Sequence, residues 1–314
     1  MYHGKISKEI AAGLIELRKR IAAAKIPSSM LDESINVATW NIREFGKKKR
    51  SDAAIHYIAE ILGQFDIVGI VELRDNLNDL MRVLNILGPY WRTVYSDMIR
   101  DAGGNWERIA YIYDKRAVVF NGLAAEASPP RTKRGSEYLS DISWWRSPYY
   151  ASFRSGNFDF VLLTVHIRWG DSEKDREKEI ALVAEWVDKK RNEKYAEDKD
   201  IIVMGDFNIP SRKSPLFDAV LKKDLVIPNA LLKIDLGSNL EKDKRYDQIL
   251  HCPIYPENFT NNGGVVDFYT GDVAPLFPGM SKNDFTYQMS DHLPLWIQIN
   301  TNIESQRLDQ IIQG

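Results

Sequence analysis

The chain has 314 residues, 44% of them apolar and 11% aromatic, with 42 basic against 44 acidic side chains and a formal net charge of −2. That is ample material for a large core, and the near-neutral balance excludes a molecule-wide positive field, so any polyanionic partner must be held by local patches. Cys252 is the single cysteine, which excludes an internal disulfide and thiolate metal sites. No apolar run approaches the roughly 18 residues of a membrane span. Residues 1–30 lack the apolar stretch of a secretory leader, so the expected location is cytoplasmic.

In chain order, Ser7 can cap a helix in which Ile10, Leu14, Leu17 and Ile21 recur at helical spacing up to Pro27. Such an amphipathic helix is expected to dock its stripe on its own domain. The run Ile35-Asn36-Val37-Ala38-Thr39-Trp40 is short, β-branched and turn-bounded, the pattern of a buried strand, and Asn41 follows it. Ile55, Ile58, Ala59 and Leu62 mark a helix stopped at Gly63, and residues 67–71 read as a second buried strand ending on Glu72. Leu77, Leu80, Met81 and Leu84 mark a third helix, stopped at Gly88-Pro89. Further strands are expected at 91–96, 108–113, 117–120 and 149–154, with consecutive strands antiparallel and the sheet content mixed.

Residues 124–147, with Trp144 and Trp145, carry Pro, Gly and Ser without period and read as a long loop. A strand over 161–165 leads into His166, and Ile180, Val183, Ala184 and Val187 stripe a helix whose other charges read as solvated surface. A strand over 201–204 precedes Asp206 and Asn208, residues 258–284 read as a second long loop, and Asp291 and His292 lie beyond it. No repeat, low-complexity tract or linker-like break divides the chain.

Each polar group alone has an ordinary reading: Asn41 as a turn residue, Glu72 as a solvated carboxylate, His166 as a hydrogen-bonded structural histidine. Jointly they put ionisable groups at the ends of successive core strands, beside an apolar interior, where functional sites cluster. Glu72, Asp206, Asn208, Asp291 and Asn41 offer hard oxygen donors, which suit magnesium or manganese over zinc or copper. Because magnesium takes only one or two protein carboxylates and keeps waters, Glu72 is expected as the principal ligand, with the others orienting water or substrate. Asp206 and Asn208, two residues apart, share one side of an extended segment, an arrangement compatible with an Asx turn before Pro210. His292 and His166 offer a general base and a proton donor, with Asp247 and Glu107 as candidate carboxylate partners. His3, His56 and His251 read as structural. With no serine elbow, glycine-rich phosphate loop or cysteine nucleophile, attack by a positioned water is the most economical hydrolysis.

The segments Thr39-Trp40-Asn41-Ile42-Arg43, Val71-Glu72-Leu73-Arg74-Asp75, Thr164-Val165-His166, Met204-Gly205-Asp206-Phe207-Asn208 and Ser290-Asp291-His292-Leu293-Pro294 resemble, in order and spacing over nearly the whole chain, those of the endonuclease/exonuclease/phosphatase superfamily. Asn41-Ile42-Arg43-Glu44-Phe45-Gly46 and Arg74-Asp75 are similar to the deoxyribonuclease I-like nucleases within it. The resemblance implies an α/β (α+β) four-layer sandwich of two packed mixed β-sheets flanked by helices. It also implies a Mg2+- or Mn2+-dependent phosphodiester hydrolase, most of all a DNA endonuclease.

By that likeness Glu72, with Asn41 and Asp291, holds metal; Asp206 and Asn208 hold the attacking water and the phosphate; Asp247 orients His292 as base. His166, partnered by Glu107, stabilises the phosphate or protonates the leaving oxygen, Arg146 contacts phosphate, and Arg43 and Arg74 contact DNA. The basic run Lys47-Lys48-Lys49-Arg50 would meet the DNA backbone, or be a solvated loop. The chain departs from the secreted enzyme in lacking paired cysteines and in carrying Asn105 at the place of a DNA-contacting tyrosine. The expected layout is a helical extension over 1–34, one catalytic domain over 35–300 and a tail over 301–314. The alternatives are hydrolysis of a small-molecule or lipid phosphate, or a non-catalytic binding module; neither a membrane span nor an obligate protein partner is expected.

Overall fold

Parallel strands buried on both faces must be apolar throughout, and the apolar runs of this chain occupy the centres of two sheets. A computed structural model describes every residue except 102, 104, 141, 142, 171, 253–255 and 314. Two expected segments are touched by this: residues 141 and 142 within the first loop and Gly314 of the tail lie outside the described residues.

In chain order the elements are α1 (Lys8–Ala23), β1 (Ser34–Phe45), α2 (Asp52–Leu62), β2 (Ile67–Leu73), α3 (Asn78–Leu87), β3 (Trp91–Tyr95), β4 (Ile99–Arg100), β5 (Trp106–Asp114), β6 (Val119–Glu126), β7 (Thr132–Arg134) and β8 (Glu137–Leu139). There follow β9 (Tyr149–Ser155), β10 (Phe158–His166), α4 (Glu173–Arg191), β11 (Ile201–Asp206), α5 (Pro215–Val220), α6 (Asn229–Leu232), β12 (Asp247–His251), β13 (Phe259–Val265), α7 (Lys282–Gln288), β14 (Leu295–Asn300) and α8 (Glu304–Gln313). One sheet runs β13-β14-β1-β2-β5-β3, with β4 also paired to β5, and the other runs β12-β11-β10-β9-β6. Among the described residues no helix is long and apolar enough to cross a membrane.

The two sheets are built alike. Each has a central parallel pair, β1 with β2 and β10 with β11, flanked by antiparallel neighbours. The carboxyl ends of a parallel pair and the amino ends of its antiparallel neighbours fall on one rim, so this topology gathers Asn41, Glu72, His166 and Asp206 with Glu107 and Asp247. The sheets pack face to face, joined by the Tyr111 hydroxyl of β5, which reaches the carbonyl oxygens of Tyr149 and Leu162 in the other sheet at 2.8 and 2.9 Å. Helices cover both outer faces: α2 lies against the first sheet with α1 and α3 beside it, and α4 covers the second, its Trp186 ring 5.1 Å from that of Tyr150 on β9. The result is a four-layer sandwich.

Ser7 caps α1 by accepting from the Ile10 N–H at 3.3 Å, and the helix buries Leu14, Leu17 and Ile21. Buried Arg20 closes the contact by donating to the Phe268 carbonyl oxygen at 2.9 Å.

Several expectations are corrected. β1 continues past residue 40, because Asn41 still pairs with Val71 of β2 before the register shifts, so Asn41 is a strand residue and not a strand end. Residues 258–284 are not one loop: Phe259–Val265 pairs with β14 as an edge strand, and Lys282–Gln288 is helical. There the pairing edge of β14 outweighs the weak strand propensity of Asn261, Asn262, Gly263 and Gly264. Residues 124–147 contain the end of β6 and the exposed hairpin β7/β8. The tail carries α8, which buries none of its side chains.

Candidate active site

The site begins with two histidines held in the same way. His292 meets Asp247 through Nδ1 at 2.8 Å, and His166 meets Glu107 through Nδ1 at 2.6 Å. Both carboxylates are buried, so each fixes its ring and leaves Nε2 facing inward. Between them lies Asp206, whose Oδ2 is 3.8 Å from Nε2 of His292 and 3.8 Å from Nε2 of His166. The arrangement follows from register: His166 pairs with Asp206 across β10 and β11, and Asp206 pairs with Asp247 across β11 and β12. Gly205 allows that approach, since a Cβ there would collide with the backbone of Val165.

Asn41 links this group to Glu72. Its Nδ2 donates to Glu72 Oε1 at 3.1 Å and to Asp206 Oδ2 at 3.0 Å, while its own Oδ1 is buried without a hydrogen-bond partner. The second oxygen of Glu72 accepts from the Glu44 N–H at 2.8 Å. Glu72 and Asn208 sit in left-handed backbone conformations, with φ of 62° and 52°. Such strain costs on the order of 1–3 kcal/mol per residue and collects at functional sites. Asn208 closes an Asx turn, its N–H donating to Asp206 Oδ1 at 2.9 Å and its Nδ2 to the Ile167 carbonyl oxygen at 2.8 Å.

The electrostatics follow from the crowding of carboxylates. Burial would push the Glu72 carboxyl up, but the His166 imidazole, the Glu44 N–H and Asn41 outweigh it and hold the group below its usual range. Burial pushes the His166 imidazolium down, and Glu107 more than reverses that. For His292, burial likewise opposes the charge, while Asp247 and Asp206 push the imidazole up to about 10. Excess negative charge, hard oxygens and the unpartnered Asn41 Oδ1 together suit a hard divalent cation between Glu72, Asn41 and Asp206. Asp206, Asp247 and His292 also place one donor atom each within 4.8 Å of one another; Asp247 Oδ2 and His292 Nδ1 are engaged with each other, while Asp247 Oδ1 is buried without a hydrogen-bond partner.

The remaining expected residues ring this centre. Arg146 is held in place by Asp101 at 3.1 Å and by Glu107 at 3.4 Å, and its Nη1 is buried without a partner. Asn105 braces the same Asp101, donating to it from its backbone N–H at 2.8 Å. Arg74 donates to the Trp106 carbonyl oxygen at 2.8 Å and lies 3.4 Å from Glu44. Arg43 is drawn toward α7, stacked over Tyr287 at 4.0 Å and bonded to its hydroxyl at 3.0 Å. Asp291 is half exposed, its nearest cation being the Arg43 guanidinium at 3.9 Å; no contact ties it to Glu72. In the basic run Arg50 is buried and donates to the carbonyl oxygens of Gln288 and Arg43 at 3.1 and 2.6 Å, so only the three lysines face solvent.

Sequence reasoning missed several supports. Ser290 accepts from the His292 N–H at 3.1 Å and donates to the Asn41 carbonyl oxygen at 2.6 Å, tying the two ends of the site together. Ser238 accepts from the Asp247 N–H at 3.0 Å. Glu179 of α4 is not solvated surface: it is buried and accepts from the N–H groups of Trp145 at 2.7 Å and Arg168 at 3.2 Å, fixing two loops beside the site. Ser290 stood two residues from His292, which is a local signal; the partners of Ser238 and Glu179 are long-range and left none.

Comparison with known proteins adds an independent line. The profile of the Endonuclease/Exonuclease/phosphatase family matches residues 38–292. A deoxyribonuclease of Thioalkalivibrio sp. (strain K90mix) is 31% identical over 298 residues, covering 88% of this chain and 74% of that protein. Deoxyribonuclease-1 of Sus scrofa is 27% identical over 186 residues, covering 56% of this chain and 60% of that protein. Among solved structures, humanized D. rerio TDP2 superposes with a TM-score of 0.59 at 16% identity, covering 85% of this chain and 99% of that one, a likeness of fold.

Proposed function

The chain belongs to the endonuclease/exonuclease/phosphatase family, whose members hydrolyse phosphate esters, and from that premise we propose that it is a divalent-metal-dependent DNA endonuclease of the deoxyribonuclease I type. The observation that carries this reading is the paired constellation: two imidazoles, each anchored through Nδ1 by a buried carboxylate, present Nε2 to the same Asp206 oxygen at 3.8 Å. The nuclease names of the sequence relatives favour DNA over other phosphate esters.

In this reading His292, oriented by Asp247, takes the proton of a water held by Asp206 and Asn208. The water oxygen attacks phosphorus in line, the P–O bond opposite breaks, and His166 gives its Nε2 proton to the departing oxygen. Arg146, fixed by Asp101 and Glu107, faces the phosphate charge. Glu72, Asn41 and Asp206 would hold Mg2+ or Mn2+, which would supply positive charge at the phosphate and offset the carboxylates that keep His292 protonated.

Incubation of the purified protein with supercoiled plasmid and Mg2+ tests the reading. Nicking is expected, lost in EDTA and lowered roughly 10²-fold or more by His292→Ala without loss of fold. Turnover of small phosphodiesters or phosphomonoesters with plasmid left intact would move the substrate to a small-molecule or lipid phosphate. No turnover of any of them by a protein that binds the metal would leave a binding module.

A further inference from the structure

Two tryptophans beside the catalytic groups stay open to solvent: Trp106 is 46% exposed and Trp169 is 65% exposed. Single exposed apolar residues are ordinary on protein surfaces, but these two are placed by the site itself. Trp106 immediately precedes Glu107 on β5, so strand alternation sends the glutamate inward to His166 and the indole outward. The Arg100 guanidinium lies 5.0 Å over that ring, and Lys47, Arg74, Asp75, Met98 and Asn105 join Trp106 around an open cavity of about 500 Å³. Trp169 follows His166 by three residues and stands edge-on to Tyr246 at 5.7 Å; the Tyr246 ring is in turn 5.7 Å from that of His292. Arg176 lies 5.7 Å over the Trp169 ring and donates to the Asn208 carbonyl oxygen at 3.3 Å.

Next to Glu107 on one sheet and just beyond His166 at the end of the other there is therefore an exposed aromatic ring paired with a cation. That pairing suits a nucleobase attached to a phosphate: the ring stacks on the indole and the arginine meets the backbone. Bases inside an intact duplex are stacked on one another and offer no free face. Resting on the nuclease reading, we propose that Trp106 and Trp169 are stacking platforms for bases flanking the scissile phosphate, and that the preferred substrate is single-stranded or locally unpaired DNA.

The test uses the full chain in EDTA, so that no turnover occurs, with a single-stranded oligodeoxynucleotide carrying 2-aminopurine as a stacking reporter. Trp169→Ala and Trp106→Ala should each weaken binding about tenfold or more and restore reporter fluorescence, while the Phe replacements retain both. An oligonucleotide with abasic residues should bind the parent protein as weakly as the intact one binds the Ala variants. In Mg2+ the parent should cut single-stranded DNA faster than relaxed duplex, and the Ala variants should lose that ratio. Unchanged binding and unchanged ratio in both Ala variants, with DNA still cut, overturns the stacking role and leaves the nuclease reading standing. A parent protein that neither binds nor cuts any DNA overturns the nuclease reading and this inference with it.

Discussion

His251 ends β12 with its ring stacked on Phe259, centroids 3.5 Å apart, in a buried setting that pushes its imidazole down to about 4 from an ordinary 6.5. The histidine is thus folded in its neutral form. Above pH 6.5 it is neutral whether folded or not and contributes nothing to pH dependence. As pH falls from 6.5 towards 4 the unfolded chain takes up a proton that the folded one refuses, and stability is lost across that window, by about 3 kcal/mol in total. Asp200 acts in the opposite sense: burial beside Asp198 pushes its carboxyl up to about 7, so its contribution is present at low pH and lost as pH rises from 3.8 to 7. The parent curve mixes the two, and the difference between parent and a His251→Phe variant isolates one. Urea unfolding at pH 7 and pH 4 should show the variant losing about 3 kcal/mol less than the parent, and parallel losses would show that the ring is solvated when folded.

At the scale of elements, α1 offers a test in which two effects of opposite sign compete. Gly13 lies mid-helix, where alanine is favoured by about 1 kcal/mol. A Cβ there, however, would collide with the hydroxyl of Tyr57, which is 1% exposed and packed edge-on against Phe277 at 5.3 Å. A buried ring so held cannot swing aside, and overpacking of this kind costs about 1–3 kcal/mol. Gly13→Ala should therefore destabilise, measured as a lower urea midpoint; a raised midpoint would mean that Tyr57 yields. The same contrast between local preference and packing explains what the sequence disclosed. β2, β10 and β11 were legible because strands buried on both faces carry unbroken apolar runs, and the helices because their stripes repeat. β13 was hidden, since its pairing with β14 depends on partners thirty to forty residues away in sequence and its own Asn and Gly residues speak for a turn. In the site, His166, Asp206 and His292 could be picked out because each borders an apolar run, and Asp247 only as a candidate carboxylate partner for His292. The hold of α7 on Arg43, the burial of Arg50 and the grip of Glu179 on two loops are tertiary facts, with no periodic trace.

Across the whole molecule the site belongs to neither sheet alone. Asn41, Glu72 and Glu107 stand on one, His166, Asp206 and Asp247 on the other, so in the proposed mechanism the distance between sheets sets how the reacting groups meet. Gly69 sets that distance near the site: it lies three residues before Glu72, and a Cβ there would be 2.6 Å from Met204 Cε and 2.8 Å from Thr164 Oγ1 of the facing sheet. The methionine can turn away, but Thr164 lies within β10, two residues before its end at His166, and is fully buried. Valine at this position suits a strand better than glycine, yet must wedge the sheets apart where the site residues of each meet. Misplacing reacting groups by an ångström can cost about 10²-fold in rate. Gly69→Val should thus lower kcat at least about tenfold while costing roughly 1–3 kcal/mol of stability. Gly13→Ala, which spends a comparable amount at a helix packed on the outer layer, should leave kcat unchanged in the same plasmid assay. Equal kcat values for both variants would mean that catalytic geometry is fixed within each sheet and does not depend on how the two are spaced.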